Sequence, residues 1–269
     1  MPIKLMAVSR RRSGLTRAEY FQRMERYLAG LVCEEDSKIA MCVENQVLDG
    51  AFGTPADSSR HEVTERDGVI EIFFNNFRDM MFTLNPAKKQ QVELNGKSFT
   101  DEPSNLVMLA EEEEISVENA QPNFPGRCDF VHAAGVFKVI QYIRRDEEVF
   151  PEDFYRRWRR AHQAAFDRSS FAQERMRRVV ASRRSRISDN EEAARKLYGL
   201  PEMPVYDLAV SMWFDTAEDA GAFRQYNKAL HGTTTRFADW SQSFFLYTRS
   251  VPILLPTMRN DEFTGVAKG

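Results

Sequence analysis

The sequence predicts an α+β protein made of two tandem ferredoxin-like halves, each a four-stranded antiparallel sheet with helices on one face. Three observations predict this. The chain has 269 residues, which suits two domains of roughly 130 residues each. The element order β-α-β-β-α-β can be read twice along it. Two pairs of segments also echo each other: KLMAVSRR and TRAEYFQRMERYLAGLV with KVIQYIRR and PEDFYRRWRRAHQAAFD, and DGVIEIFFNN with YDLAVSMWFDT. A split βαβ unit gives one such sheet, and two sheets can close on each other into a barrel without exposed edges.

In the first half, Ile3–Ser9 reads as a strand and Arg10–Gly14 as a turn. Thr16 and Glu19 have capping-box spacing, and Tyr20, Met24, Tyr27, Leu28 and Leu31 then recur at helical spacing. Strands follow at Lys38–Leu48 and Gly68–Asn75, separated by a polar loop over Gly50–Arg66. Phe77–Leu94 reads as a helix broken near Asn85 and Pro86, and Asn105–Ala110 as a strand running into the acidic stretch Glu111–Glu114. Pro122–Gly126 is a linker signal, which places the halves at residues 1–125 and 126–255 with a polar tail at 256–269.

The second half opens with a strand at Phe137–Ile143 and a turn at Arg144–Val149. Pro151 suits a first helical position, and Phe154, Trp158, Ala161, His162 and Ala165 share one helical face. Arg178–Arg186 reads as a strand, Asp189–Leu197 as a short helix, Tyr206–Phe214 as a strand, Ala217–Lys228 as a helix and Phe244–Ile253 as the last strand.

Composition narrows the function classes. The net charge of −3 gives no general attraction to nucleic acid or to an anionic membrane. Three cysteines without C-x-x-C spacing argue against a disulfide framework and a structural zinc site. The N-terminus has the wrong order for a secretory signal, and no apolar run is long enough to span a bilayer. A cytoplasmic protein is expected. Neither G-x-G-x-x-G after a strand, nor a P-loop, nor G-x-S-x-G, nor a metal-binding His/His/carboxylate spacing occurs. That leaves acid–base chemistry with no cofactor and no metal.

At the two echoes the sequence resembles EthD-domain proteins of the dimeric α/β-barrel superfamily, with a tandem duplication. Their helix reads roughly S-x-x-E-F-x-x-Y-W-x-x-x-H-x-P, followed later by a D-G-x-x-E-x-W-F strand. Phe154, Trp158 and His162 fall on the Phe, Trp and His positions, and Trp213, Phe214 and Asp215 match the later strand. In the first half Tyr20 and Met24 replace Phe and Trp, and Leu28 stands where the His would be, while Asp67, Gly68 and Glu71 keep the later strand. The resemblance implies a small-molecule enzyme: a cofactor-free decarboxylase, dehydratase or cyclase, a quinone-forming monooxygenase, or a member without activity.

The candidate catalytic residues are His162, as a proton carrier in an aromatic setting, and Asp207, a carboxylate on an apolar strand that needs a partner. Asp207 either orients His162 or pairs with an inward arginine. Phe154, Trp158, Tyr142, Tyr206, Trp213 and Tyr247 are the expected substrate-binding walls, and Arg144 the expected carboxylate clamp. The other second-half arginines (Arg145, Arg156, Arg157, Arg159, Arg160, Arg175, Arg177, Arg178, Arg183, Arg184, Arg186) read mainly as a solvated, acid-balanced face with one or two pointing inward, and His61, His132 and His231 as surface residues. The leading expectation is a lyase, most simply a decarboxylase of a phenolic, polyketide-like or lignin-derived aromatic acid. A dehydratase or cyclase, a cofactor-free monooxygenase and a ligand-binding module are the alternatives. Whether the two halves pair within one chain or across a homodimer is left open at this level.

Overall fold

The computed structural model of the chain describes residues 2–48, 66–84, 98–101, 105–115, 137–185, 205–221 and 223–254. The first half contains β1 (Ile3–Ser9), α1 (Arg17–Cys33), β2 (Ile39–Val47), β3 (Gly68–Phe74), α2 (Phe77–Thr83) and β4 (Leu106–Ile115). The second contains β5 (Phe137–Ile143), α3 (Pro151–Asp167), α4 (Ser170–Arg175), β6 (Arg178–Arg184), β7 (Leu208–Phe214), α5 (Ala217–Ala220), α6 (Phe223–His231) and β8 (Phe244–Leu254). The predicted linker at Pro122–Gly126, the helix at Asp189–Leu197, the tail, His61, His132 and Arg186 lie outside the described residues.

The eight strands close into one barrel in the order β1-β3-β2-β8-β5-β7-β6-β4. Each half contributes four neighbouring strands in the same internal order, and the halves are joined by antiparallel pairing of β2 with β8 and β4 with β6. The barrel therefore closes within a single chain. Over much of the sheet both strand faces are buried, one toward the barrel axis and one beneath the helices, and β7 is buried at every position. This explains why strands such as β3 and β7 show so little polar alternation.

The capping box forms as its spacing predicts: Glu19 N–H donates to Thr16 Oγ1 at 3.3 Å, and Thr16 N–H donates to the Glu19 carboxylate at 2.8 Å. The buried face of α1 is Tyr20, Met24, Leu28 and Leu31. Tyr20 also fixes Gly68, because its hydroxyl, 2.6 Å from Ser9 Oγ, lies 2.8 Å from where a Cβ on residue 68 would sit. Gly68→Ala is expected to cost about 1–3 kcal/mol by overpacking, read as a lower denaturant midpoint at unchanged slope.

Two boundaries and one short helix differ from the sequence reading. The acidic stretch Glu111–Glu114 continues β4 rather than following it. The helix expected over Ala217–Lys228 is divided into α5 and α6. The short helix α4, capped by Ser169, went unread because its six residues carry no helical apolar period. Among the described residues no helix is long and apolar enough to cross a membrane.

Candidate functional site: a charged recess inside the barrel

Cross-strand pairing shows which side chains point inward. Lys4 lies opposite Phe73, Met6 opposite Glu71, Lys138 opposite Trp213, and Glu112 opposite Ser182. These residues face the barrel interior, where a partly open recess of about 30 Å³ is lined by Lys4, Glu71, Phe73, Glu112, Lys138 and Trp213 among others. That volume holds a water molecule or two.

The two lysines hold equivalent places in the repeated strand, and both converge on one carboxylate. Lys4 and Lys138 are 2% exposed and Glu71 is 3% exposed. Lys4 Nζ lies 2.5 Å from Glu71 Oε1 and 2.9 Å from Glu112 Oε1, and donates to Ser182 Oγ at 3.2 Å. Lys138 Nζ pairs with Glu71 Oε2 and donates to Asn45 Oδ1 at 3.3 Å. Asn45 in turn donates to Glu71 Oε2 at 3.1 Å and accepts from Ser250 Oγ at 2.8 Å. The network crosses between the halves: Lys4, Asn45, Glu71 and Glu112 come from the first, and Lys138, Ser182 and Ser250 from the second.

The duplication is imperfect in a way that separates the lysines electrostatically. The position matching Glu71 in the second half is Ser211, and the one matching Glu112 is Ser250. Burial pulls on both ammonium groups, but Lys4 is countered by Glu112 and Glu71 together and its pKa ends above the ordinary value. Lys138 is countered by Glu71 and only weakly by Glu112, and it feels Lys4 as a like charge, so burial prevails and its pKa falls to about 8. The Glu71 carboxyl, opposed by burial but flanked by Lys138 and Lys4, is held well below the usual carboxylate range. Lys138 also stands over the Trp213 ring, 4.8 Å from its centroid, and Arg178 stands 5.2 Å from the same ring.

His162 lies elsewhere. The buried face of α3 packs on the outer side of the sheet, so His162, Trp158 and Phe154 belong to the helix–sheet layer with Tyr247 and Tyr226. His162 is 4% exposed, stacks between Trp158 and Phe166, and its Nδ1 is 2.7 Å from the Tyr226 hydroxyl. Burial first, then the Arg159 charge, lowers its pKa to about 4. At neutral pH this imidazole is uncharged and has no proton to spare as a strong acid.

The sign of its contribution to stability follows. The folded state disfavours the imidazolium, so stability falls as pH drops through the window between about 6.5 and about 4. His162→Leu, which installs the residue found at the equivalent Leu28, is expected to flatten that part of the curve. Urea melts of both proteins across the window check it; parallel curves would remove this histidine from the acid response.

Asp207 does not meet His162. Its Oδ2 accepts the Arg145 backbone N–H at 3.0 Å, and Oδ1 lies 3.8 Å from Arg145 Nε and 3.9 Å from Arg184 Nη1. Asp67 makes the equivalent clasp, with the Arg11 backbone N–H at 2.8 Å and the Arg11 and Arg17 guanidinium groups at 2.8 and 3.2 Å. The repeated Arg-Arg and Asp therefore fasten the rim of each half, and Asp207 meets partly exposed rim arginines rather than His162 or an inward arginine.

The predicted binding residues are distributed over three places. Trp213 lines the recess, Tyr142 and Tyr206 stand at the opposite mouth of the barrel with Phe244, and Phe154, Trp158 and Tyr247 lie outside the barrel. Arg144 is on the rim at the Tyr142 and Tyr206 end of the barrel, 3.9 Å from Glu147, and does not line the recess. Most other second-half arginines form surface pairs, including Arg156 with Asp153, Arg177 with Asp215 and Arg175 with Asp219. Arg178 points inward and grips Glu114 with two bonds of 3.0 Å.

No family model and no characterised protein sequence matches the chain. Among solved structures it is similar to a protein provisionally named a chlorite dismutase, at 10% identity and a TM-score of 0.53, covering 94% of this chain and 96% of that one. It is also similar to a provisionally named monooxygenase of Fusobacterium nucleatum, at 8% identity and a TM-score of 0.51, covering 93% and 92%. At such identities the likeness concerns the fold, and it extends through both halves. The chain thus has the dimeric α/β-barrel fold in tandem form, with two ferredoxin-like halves of one polypeptide closing a single barrel.

Proposed function

We propose that the protein is a cofactor-free lyase, a decarboxylase of a small aromatic or conjugated acid, and that its proton donor is Lys138 in the barrel recess rather than His162. The observation that carries this reading is the pair of buried lysines sharing Glu71, which leaves Lys138 as an acid with a pKa of about 8 at a partly open recess. A general acid is most effective when its pKa lies near the working pH. His162, neutral and bonded to Tyr226, lacks that property.

In the reaction, the substrate's reacting end enters between Trp213 and Phe73. The Lys138 ammonium gives its proton to the carbon bearing the carboxylate, with a conjugated hydroxyl supplying the electron density. The carbon–carbon bond then breaks, its electron pair stays with the substrate, and carbon dioxide departs. Solvent returns a proton to Lys138 while Glu71 keeps the amine in place.

A panel of hydroxyaromatic and cinnamate-like acids incubated without oxygen, with products read by mass, tests this. Loss of one carbon dioxide is the expected result. Loss of water instead would make the protein a dehydratase, and turnover that requires oxygen would make it a monooxygenase. A second reading, in which the network only fastens the two halves, is favoured by its crossing between them; it requires that no acid in the panel react.

A further inference from the structure

We propose that the mouth of the barrel opposite the Lys138 recess binds an aromatic carboxylate, gripped by the Arg66 guanidinium and the Tyr142 hydroxyl and walled by the Tyr142, Tyr206 and Phe244 rings. This does not rest on the catalytic reading of Lys138. The duplication builds the site. Arg66 immediately precedes Asp67 and Tyr206 immediately precedes Asp207, so the two are equivalent positions brought to one mouth of the barrel. The backbone there is fixed, because Asp67 N–H donates to the Ser9 carbonyl at 2.9 Å and the Asp67 carbonyl accepts from Val47 N–H at 2.9 Å. Arg66 is thus held beside the barrel opening, within electrostatic reach of Tyr206, Arg10, Asp101 and Tyr142.

Its polar atoms are unusual. Arg66 Nε and Nη1 are shielded from solvent and, among the described residues, have no hydrogen-bond partner. The Tyr142 hydroxyl is likewise unpartnered, on a side chain with 0% exposure. Buried polar atoms are nearly always paired, so donors left open together point to a missing acceptor. Each open guanidinium N–H can give a carboxylate a charge-assisted bond, and a phenol adds a further donor.

The walls define the rest of the ligand. Tyr142 and Phe244 stack with centroids 4.9 Å apart, and Tyr206 meets both edge-on at 5.7 and 5.2 Å. Three rings beside Arg66, with Arg144 also acting on Tyr206, favour an anion with a flat aromatic body over a compact, strongly hydrated one. The cation comes from the first half and the rings from the second, so only the closed barrel has the complete site.

Calorimetric titration of the full-length protein with sodium benzoate, benzyl alcohol and inorganic phosphate tests the proposal. Benzoate should saturate, with benzyl alcohol and phosphate each weaker by about tenfold or more, the value of a charge-assisted pair. Arg66→Met should weaken benzoate by about 10-fold to 100-fold, Arg66→Lys should recover only part, and Tyr142→Phe should lose roughly 3-fold to 10-fold. Arg156→Ala, on the exposed face of α3, should bind benzoate like the parent. Without ligand, Arg66→Met should melt no lower than the parent, because an unpartnered cation has been removed. Benzoate binding that is absent, unchanged in Arg66→Met, or matched by phosphate would overturn the site, as would a large fall in the ligand-free melting temperature of that variant.

Discussion

Glu71→Gln is expected to destabilise the protein by about 3–5 kcal/mol, the usual cost of removing one partner from a buried ionic cluster. The change is nearly isosteric, so the loss is electrostatic. It leaves Lys138 without the carboxylate it pairs with and Lys4 with Glu112 alone. No discount for solvent screening applies, since all three side chains are within 3% of complete burial. Urea melts measure the loss, and Glu71→Gln combined with Lys138→Met should recover much of it because the stranded charge is gone. A single-variant effect no larger than that of a surface substitution would mean that the network does not hold the halves together.

Lys138→Met is expected to lower kcat by about 100-fold to 10,000-fold, the range for loss of a general acid, while the fold is retained. The fold survives because Glu71 keeps Lys4 as its partner and methionine fills the space of the lysine stem. The parent enzyme should also show a directional pH dependence. The acid form of Lys138 is required, so the rate holds below about 8 and falls as pH rises through it. A rate that instead rises through that pH would show that the amine acts as a base.

The repeated strand, the Arg-Arg turns and the capping box made the two halves legible, because local periodicity and spacing specify them. Barrel closure was not legible in the same way. Once a sheet closes and is also covered by helices, both strand faces are apolar, and nothing in FKVIQYI distinguishes the axis side from the helix side. That ambiguity explains His162. Its helical face is correctly apolar, yet that face meets the outside of the barrel, so a histidine in an aromatic setting became a neutral residue bonded to Tyr226.

Lys4 and Lys138 carried a signal that periodicity alone passed over: a lysine at the same position of an otherwise apolar strand in both halves. Such a lysine must find a carboxylate inside the fold. Glu71, in the middle of GVIEIFF, and Glu112, within the acidic run, supply it. The strand was read as ending at Ala110, before the acidic run, because charge in sequence does not reveal that Glu112 turns toward the barrel axis. Arg66 lay at the end of a polar loop, and only the alignment of Arg66 with Tyr206 across the duplication gives it a place at the mouth.

The most direct test of where the chemistry occurs is a side-by-side assay of Lys138→Met and His162→Leu on the acid that the parent protein decarboxylates best. Location in the barrel predicts that Lys138→Met loses nearly all carbon dioxide release and His162→Leu retains it. The reverse pattern, with activity lost in His162→Leu and kept in Lys138→Met, would contradict the account and return the reaction to the helix–sheet layer.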